Sequence, residues 1–148
     1  MSQIFNIALS QYGVTETIGT QHNPTVLSYF HDIGHAWITN DETAWCSAFI
    51  NWVALKANVV RSNKLTARSW LIVGNKVEKP ELNDVVIFWR EKRFSWKGHV
   101  ALFVGYSEDK QFIYALGGNQ NNQVNIKKYP AYRLLGFRRL PAINSQNI

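Results

Sequence analysis

Apolar residues in the first half of the chain recur at three- and four-residue steps, while in the second half they gather into short runs between turn residues. That change of period separates a helical segment from a stranded one. Ile4, Ile7 and Ala8 share one face of a helix predicted from Ser2, a cap, through Tyr12, with Gly13 as its stop. Asn23-Pro24 places a capping side chain before a first-turn proline and starts a second helix that ends at Gly34. Phe49, Ile50, Val53 and Ala54 mark a third, with Asp41 or Thr43 as cap, Glu42 in its first turn and an end near Asn58. A shorter helix covers Thr66 to Val73 and stops at Gly74. Beyond a turn at Pro80 to Asn83, β-branched and aromatic runs predict strands at Asp84–Trp89, His99–Tyr106, Gln111–Leu116, Gln123–Lys127 and Arg133–Leu140. Helices followed by an antiparallel meander of five strands make an α+β layout.

Cys46, the only cysteine, falls at the start of the third helix. Unpaired N–H groups and the positive end of the helix dipole favour thiolate over thiol there, which makes Cys46 a candidate nucleophile. A buried structural cysteine is the plain alternative. A nucleophilic cysteine needs a base and a group to orient it. His22, His31 and His35 lie in polar, loop-like surroundings and suit surface or capping roles. His99 opens the run Gly98–Gly105, where a core strand would hold it rigidly, and so is the candidate base. The next strand runs into Gly117-Gly118-Asn119-Gln120, so Asn119 or Gln120 can lie beside His99 and accept its second N–H. Asn119 is the expected orienting residue, and a simple polar turn is the competing reading. Core packing is the first reading for Trp45 and Trp70; with a catalytic Cys46 its neighbour Trp45 is the expected exception on a cleft wall, and Trp70 and Gln120 are further candidate substrate contacts, Gln120 with turn formation as its alternative.

In this order, Asn23-Pro24, Asp41 with Thr43-Ala-Trp-Cys46, Ser69-Trp70-Leu71, Asn83-Asp84-Val-Val-Ile-Phe88, Gly98-His99-Val100, Leu116-Gly-Gly-Asn-Gln120 and Leu135-Gly-Phe-Arg138 resemble the papain-like cell-wall hydrolases. These are the CHAP amidases and peptidases with their NlpC-type relatives, and the likeness is greatest to a small bacterial and phage subfamily. The pieces span roughly residues 13 to 139, and only their joint order is specific. Asn83 departs from the usual glycine, a mild change because Asn tolerates a left-handed turn. The resemblance implies a papain-like core with the nucleophile helix packed on a curled antiparallel sheet. It also implies a Cys46–His99–Asn119 triad that cleaves a stem-peptide amide of peptidoglycan through a thioester, without metal or other cofactor.

The length fits one domain over residues 1–148, with 143–148 as a tail. No apolar run reaches the length of a membrane span, and the N-terminus lacks the basic and apolar regions of a secretory signal. One cysteine forbids an internal disulfide, which suits synthesis in the cytoplasm. Action on the wall then calls for delivery by a secretion apparatus or by phage lysis machinery, and an injected effector implies a cognate immunity protein. Residues 1–60 hold one Lys or Arg against four acids, whereas residues 61–148 hold fifteen against six. The basic half would attract an anionic polymer, and Arg90–Lys97 mixes cations with aromatics. The expected partner is peptidoglycan, met by a monomer, with no nucleic acid. The alternatives are a catalytically inactive wall-binding module and a nucleic-acid-binding domain.

Overall fold

In a computed structural model, which describes residues 3–16, 22–36 and 44–143, the chain is α+β with a single antiparallel sheet. Three helices come first: α1 (Gln3–Leu9), α2 (Pro24–Asp32) and α3 (Cys46–Ala57). A 3-10 helix, Ala67–Ile72, leads into strands β1 (Asn75–Val77), β2 (Val85–Trp89), β3 (Gly98–Tyr106), β4 (Phe112–Gln120), β5 (Gln123–Pro130) and β6 (Leu134–Arg139). The sheet order is β1-β6-β2-β3-β4-β5. The meander β2 to β5 is thus read directly from chain order, and β6 returns to the far side of β2.

The helix signals act where local chemistry supports them. Asn23 Oδ1 accepts the Thr25 N–H at 2.8 Å, with Pro24 in the first turn, and Gly34 takes the left-handed conformation after α2. α1 is shorter than its apolar pattern predicts, and Gly13 follows with positive φ. Its start is held from a distance, because Asn83 Oδ1 accepts the Phe5 N–H. Asn83 itself lies at φ 81°, a left-handed turn that Asn tolerates. The cap of α3 falls to Trp45, which makes no side-chain capping bond, and the expected caps Asp41 and Thr43, with Ser2 of the first helix, lie outside the described residues. Asn58 ends α3 in a left-handed conformation.

Period-two alternation sorts the strands between two apolar layers. Val85, Ile87, Val100, Leu102 and Leu116 face the helices, where Tyr29, Phe30, Ala48, Phe49 and Val53 complete the main core. Val86, Phe88, Ala101, Phe103, Ile113, Ala115 and Phe137 pack together on the opposite face. α3 lies between α1 and α2 on one side and β3 and β4 on the other, so its first six residues are all buried. The sheet has six strands, one more than expected: β1 is a three-residue edge strand whose exposed Asn75 and Lys76 carry no apolar alternation.

Candidate active site

The register between β3 and β4 runs from Leu102↔Leu116 to Tyr106↔Ile113, so the opening residues of β3 are not part of it. The start of α3 fits at this end of the two strands. Gly118 makes the approach feasible: a Cβ there would stand 2.8 Å from Phe49 Cβ and 2.8 Å from the Trp45 ring. A buried polar knot fixes the same turn. Ser47 Oγ donates to the Lys64 carbonyl at 2.6 Å and accepts from Trp70 Nε1 at 2.9 Å, while Asn51 Nδ2 donates to the Lys64 carbonyl and Asn51 Oδ1 accepts the Asn63 N–H. Every member of the knot is bonded, so it rigidifies without leaving a costly unpaired group.

Cys46 is buried, and the backbone N–H of Val100, the residue after His99, points at its sulfur together with the N–H groups of Ser47 and of Cys46 itself. Burial nevertheless pushes the thiol up, and these N–H groups and the Arg90 charge only oppose that rise. The ready thiolate expected of a helix start is therefore corrected to a neutral thiol: desolvation outweighs the dipole when the sulfur is enclosed.

His99 is also buried. Its Nε2 lies 2.9 Å from Gln120 Oε1 and 3.1 Å from the Tyr129 hydroxyl, and the Tyr129 ring stacks on the imidazole at 5.1 Å between centroids. The Gln120 amide can be oriented in only one way. Its Nε2 donates to the carbonyls of Asn125 at 2.8 Å and Ala115 at 3.2 Å, and carbonyls are acceptors only. Oε1 therefore faces His99 and accepts, so His99 carries its proton on Nε2 and keeps a basic lone pair on Nδ1. Burial depresses His99 to about 4; the Gln120 bond opposes this, and the charges of Arg90 and Lys127 add to it. Burial thus favours a neutral thiol at Cys46 and a neutral imidazole at His99, and the two are linked through adjacent backbone: the Val100 N–H that reaches the sulfur belongs to the residue after His99.

The place expected for Asn119 is occupied by Gln120. Asn119 sits at φ 58° in a bulge between Gly117 and Gln120, and Asn121 and Asn122, both at positive φ, form the two-residue turn of the β4–β5 hairpin. The bulge sends Gln120 inward, and its longer side chain folds back over Gly117, where a Cβ would stand 2.7 Å from Gln120 Oε1. Asn119 lines the cavity beside His99, and its residue type serves the backbone conformation.

The other candidates are placed as follows. Trp45 is fully buried and donates from Nε1 to Glu16 Oε1 at 2.9 Å, and Trp70 is fully buried in the polar knot, so neither wall-contact expectation holds. Both rings fill the space that a helix packed on a sheet must close. Gln120, also expected against substrate, is 1% exposed and spends its amide on His99 and the hairpin. His31 is on the surface near Asp32. Tyr129 carries no signal in the sequence, since its role depends on β5 meeting β4 in register opposite Ile113.

Two cavities adjoin these residues, one lined by Cys46 and the other by His99. One, of about 290 Å³, is lined by Ala44, Cys46, Leu65, Ala67, Trp96 and Gly98 among others. The second, of about 260 Å³, holds His99, Asn119, Tyr129 and three cations. Arg90 lines both. A further cavity of about 380 Å³ surrounds the Asp84–Arg139 pair, whose oxygens and nitrogens satisfy each other at 2.7 and 2.8 Å, and includes neither Cys46 nor His99. Among the described residues no group of acids, histidines and Cys46 could hold a metal, and no helix is long and apolar enough to cross a membrane. Compared with known proteins, the chain matches no protein-family model and no curated protein.

Proposed function

We propose that this protein is a cysteine amidohydrolase or peptidase that cleaves an amide bond in the stem peptide of peptidoglycan, with Cys46 as nucleophile and His99 as base. The observation that carries the chemistry is the Gln120 lock on His99, which leaves Nδ1 as the basic nitrogen at the end of β3 where the Cys46 sulfur meets Val100 N–H. The choice of cell wall rests on the ordered motifs from Thr43 to Arg138, together with basic groups around both cavities.

In this reading, Nδ1 of His99 takes the Sγ proton as sulfur attacks the carbonyl carbon. Because both groups rest neutral, proton transfer and attack proceed together, and no thiolate need accumulate. The N–H groups of Cys46 and Ser47, which approach the sulfur at the start of α3, are the donors proposed to take the oxyanion as it develops. The imidazolium then protonates the departing amine, leaving a thioester on Cys46. A water molecule, giving its proton to Nδ1, attacks that thioester, and the acid leaves as the thiol is restored. Gln120 and Tyr129 hold the ring and accept from Nε2–H through both half-reactions.

Purified peptidoglycan incubated with the protein should release new amino and carboxyl termini in equal amounts, identified by mass spectrometry of the fragments. Cys46→Ala should fold and release none, and hydroxylamine should intercept the thioester as a hydroxamate. Equal release by wild type and Cys46→Ala would refute the assignment of the nucleophile.

A further inference from the structure

The cavity beside His99 has a chemistry that the cleavage steps do not use. Trp89, Arg90, Lys127, Tyr129 and Arg133 line it with His99, and no Asp or Glu does so among the described residues. Arg139 and Lys97 are matched by Asp84 and Glu91. By contrast, none of Arg90, Lys127 and Arg133 forms an ion pair among the described residues. The Arg133 guanidinium lies over the Trp89 ring at 5.0 Å, and the Lys127 ammonium over Tyr129 at 5.5 Å. Arg133 Nε and Trp89 Nε1 are buried and donate to no described group. Two buried N–H donors without acceptors are costly, and each calls for an explanation. A guanidinium stacked on an aromatic face, with its planar edge unspent, is disposed to take a carboxylate through two parallel N–H bonds.

We propose that this cavity is a subsite for a carboxylate carried on the amine half of the substrate, an inference that rests on the amidohydrolase reading of Cys46 and His99. The side follows from the chemistry. Sulfur becomes bonded to the acyl carbon, so the acyl half lies in the cavity that Cys46 lines. The nitrogen departs with a proton from His99, so the amine half lies on the His99 side, in a cavity whose lining does not include Cys46. A volume of about 260 Å³ admits one residue-sized group, which places the carboxylate on the first residue after the scissile amide. Arg133 Nε and Trp89 Nε1 are both closed to solvent while the guanidinium lies over the indole, so in this proposal the arriving anion parts the two groups and satisfies both donors.

The test uses N-acetyl-L-Ala-γ-D-Glu-L-Lys-D-Ala, with the glutamate α-carboxyl free or as carboxamide, and with the C-terminus free or amidated. Wild type should cleave before a residue with a free carboxylate, with kcat/KM roughly 30-fold above the matching carboxamide, the order expected of one charge-assisted pair. Arg133→Gln should reduce that ratio to less than about 3-fold, mainly through KM, and Lys127→Gln should lower it in the same direction. Calorimetry on Cys46→Ala should show the free acid binding at least about tenfold tighter than the carboxamide, with the preference falling as salt rises. Equal binding and equal cleavage of the two forms would overturn the subsite and leave the nucleophile assignment standing. Preferential binding without cleavage by wild type would do the reverse, and no binding of either form at millimolar concentration would overturn the subsite.

Discussion

Replacing Gln120 with Ala tests the catalytic geometry at its least obvious point. The substitution deletes the acceptor 2.9 Å from His99 Nε2 and the donors that reach Ala115 O and Asn125 O. A hydrogen bond to a charged partner contributes about 1.5–3 kcal/mol. The positive charge appears on His99 only as the proton leaves sulfur, so the loss falls on the transition state. At about 1.4 kcal/mol per decade, kcat/KM should drop roughly 10- to 150-fold, with kcat carrying most of the change. The lost donors should lower stability by about 2–3 kcal/mol. Asn119→Gly is the matched control. It removes the side chain that the sequence favours, while keeping the φ of 58° that glycine adopts freely, so its rate should stay within about threefold of wild type. Both are measured as kcat/KM on a stem-peptide substrate, with nitrogen-15 spectra of the imidazole to read the tautomer. In wild type the His99 proton should sit on Nε2, and in Gln120→Ala that signal should broaden or shift. A Gln120→Ala protein with wild-type kcat/KM, or a hundredfold loss in Asn119→Gly, would refute the reasoning.

If His99 is the proposed base it must be neutral to act, and with burial depressing it to about 4 the acid limb of kcat/KM should fall near that pH, well below the 6.5 of a free imidazole. The same shift ties stability to pH: the unfolded chain binds the proton that the fold refuses, so stability is complete above about 6.5 and is lost as pH falls toward 4, by roughly 3 kcal/mol. His99→Gln should remove that dependence in urea titrations at pH 4 and 7, and an unchanged dependence would assign it to other groups. Iodoacetamide should label Cys46 slowly at neutral pH and faster only on the alkaline side, because burial holds the thiol up; rapid labelling below pH 7 would indicate a thiolate–imidazolium pair instead. Gly118→Ala drives a methyl to 2.8 Å from the Trp45 ring and Phe49 Cβ, and should cost about 1–3 kcal/mol while displacing the start of α3, read as a lower Tm together with a lower kcat.

The parts of the fold legible in the sequence are those where local chemistry and the final packing agree. Asn23-Pro24, the apolar steps of α3 and the runs of β2 and β3 each form the element that their pattern predicts, because burial rewards the same residues that propensity selects. The positions of the candidate nucleophile and base were legible for a related reason: a lone cysteine at a helix start and a histidine at a strand mouth are local features. The burial of both was not, since it depends on Tyr129 reaching across from β5 and on the Trp45 ring packing over Gly118. Trp45 and Trp70 took the core packing that an indole on or beside a helix first suggests, and their candidacy as cleft walls fell because that depends on neighbours the sequence does not show. Asn119 and Gln120 show the limit most sharply. Both are amides one residue apart, and a strand read as regular assigns their faces by alternation. The bulge at Asn119 inserts a residue and resets that alternation, and nothing short of the β4–β5 register reveals it.

Arg90 connects the chemistry to the two cavities in a way that follows from sign alone. Its charge favours thiolate at Cys46 and disfavours imidazolium at His99. At the moment of transfer the two effects oppose each other, so Arg90 does little to move the proton from sulfur to nitrogen. In the proposed mechanism, once carbon–sulfur bond formation has begun, negative charge has passed to the carbonyl oxygen and the proton rests on His99. The cation then stabilises the first and destabilises the second, so the imidazolium is driven to give its proton to the departing amine. A carboxylate bound in the His99 cavity would partly cancel that push by screening Arg90, and the product amine would carry the carboxylate away with it. Binding of the acidic group and its release with the leaving half are thereby linked to Arg90 and Lys127, whose charges add to the burial that keeps the resting histidine uncharged.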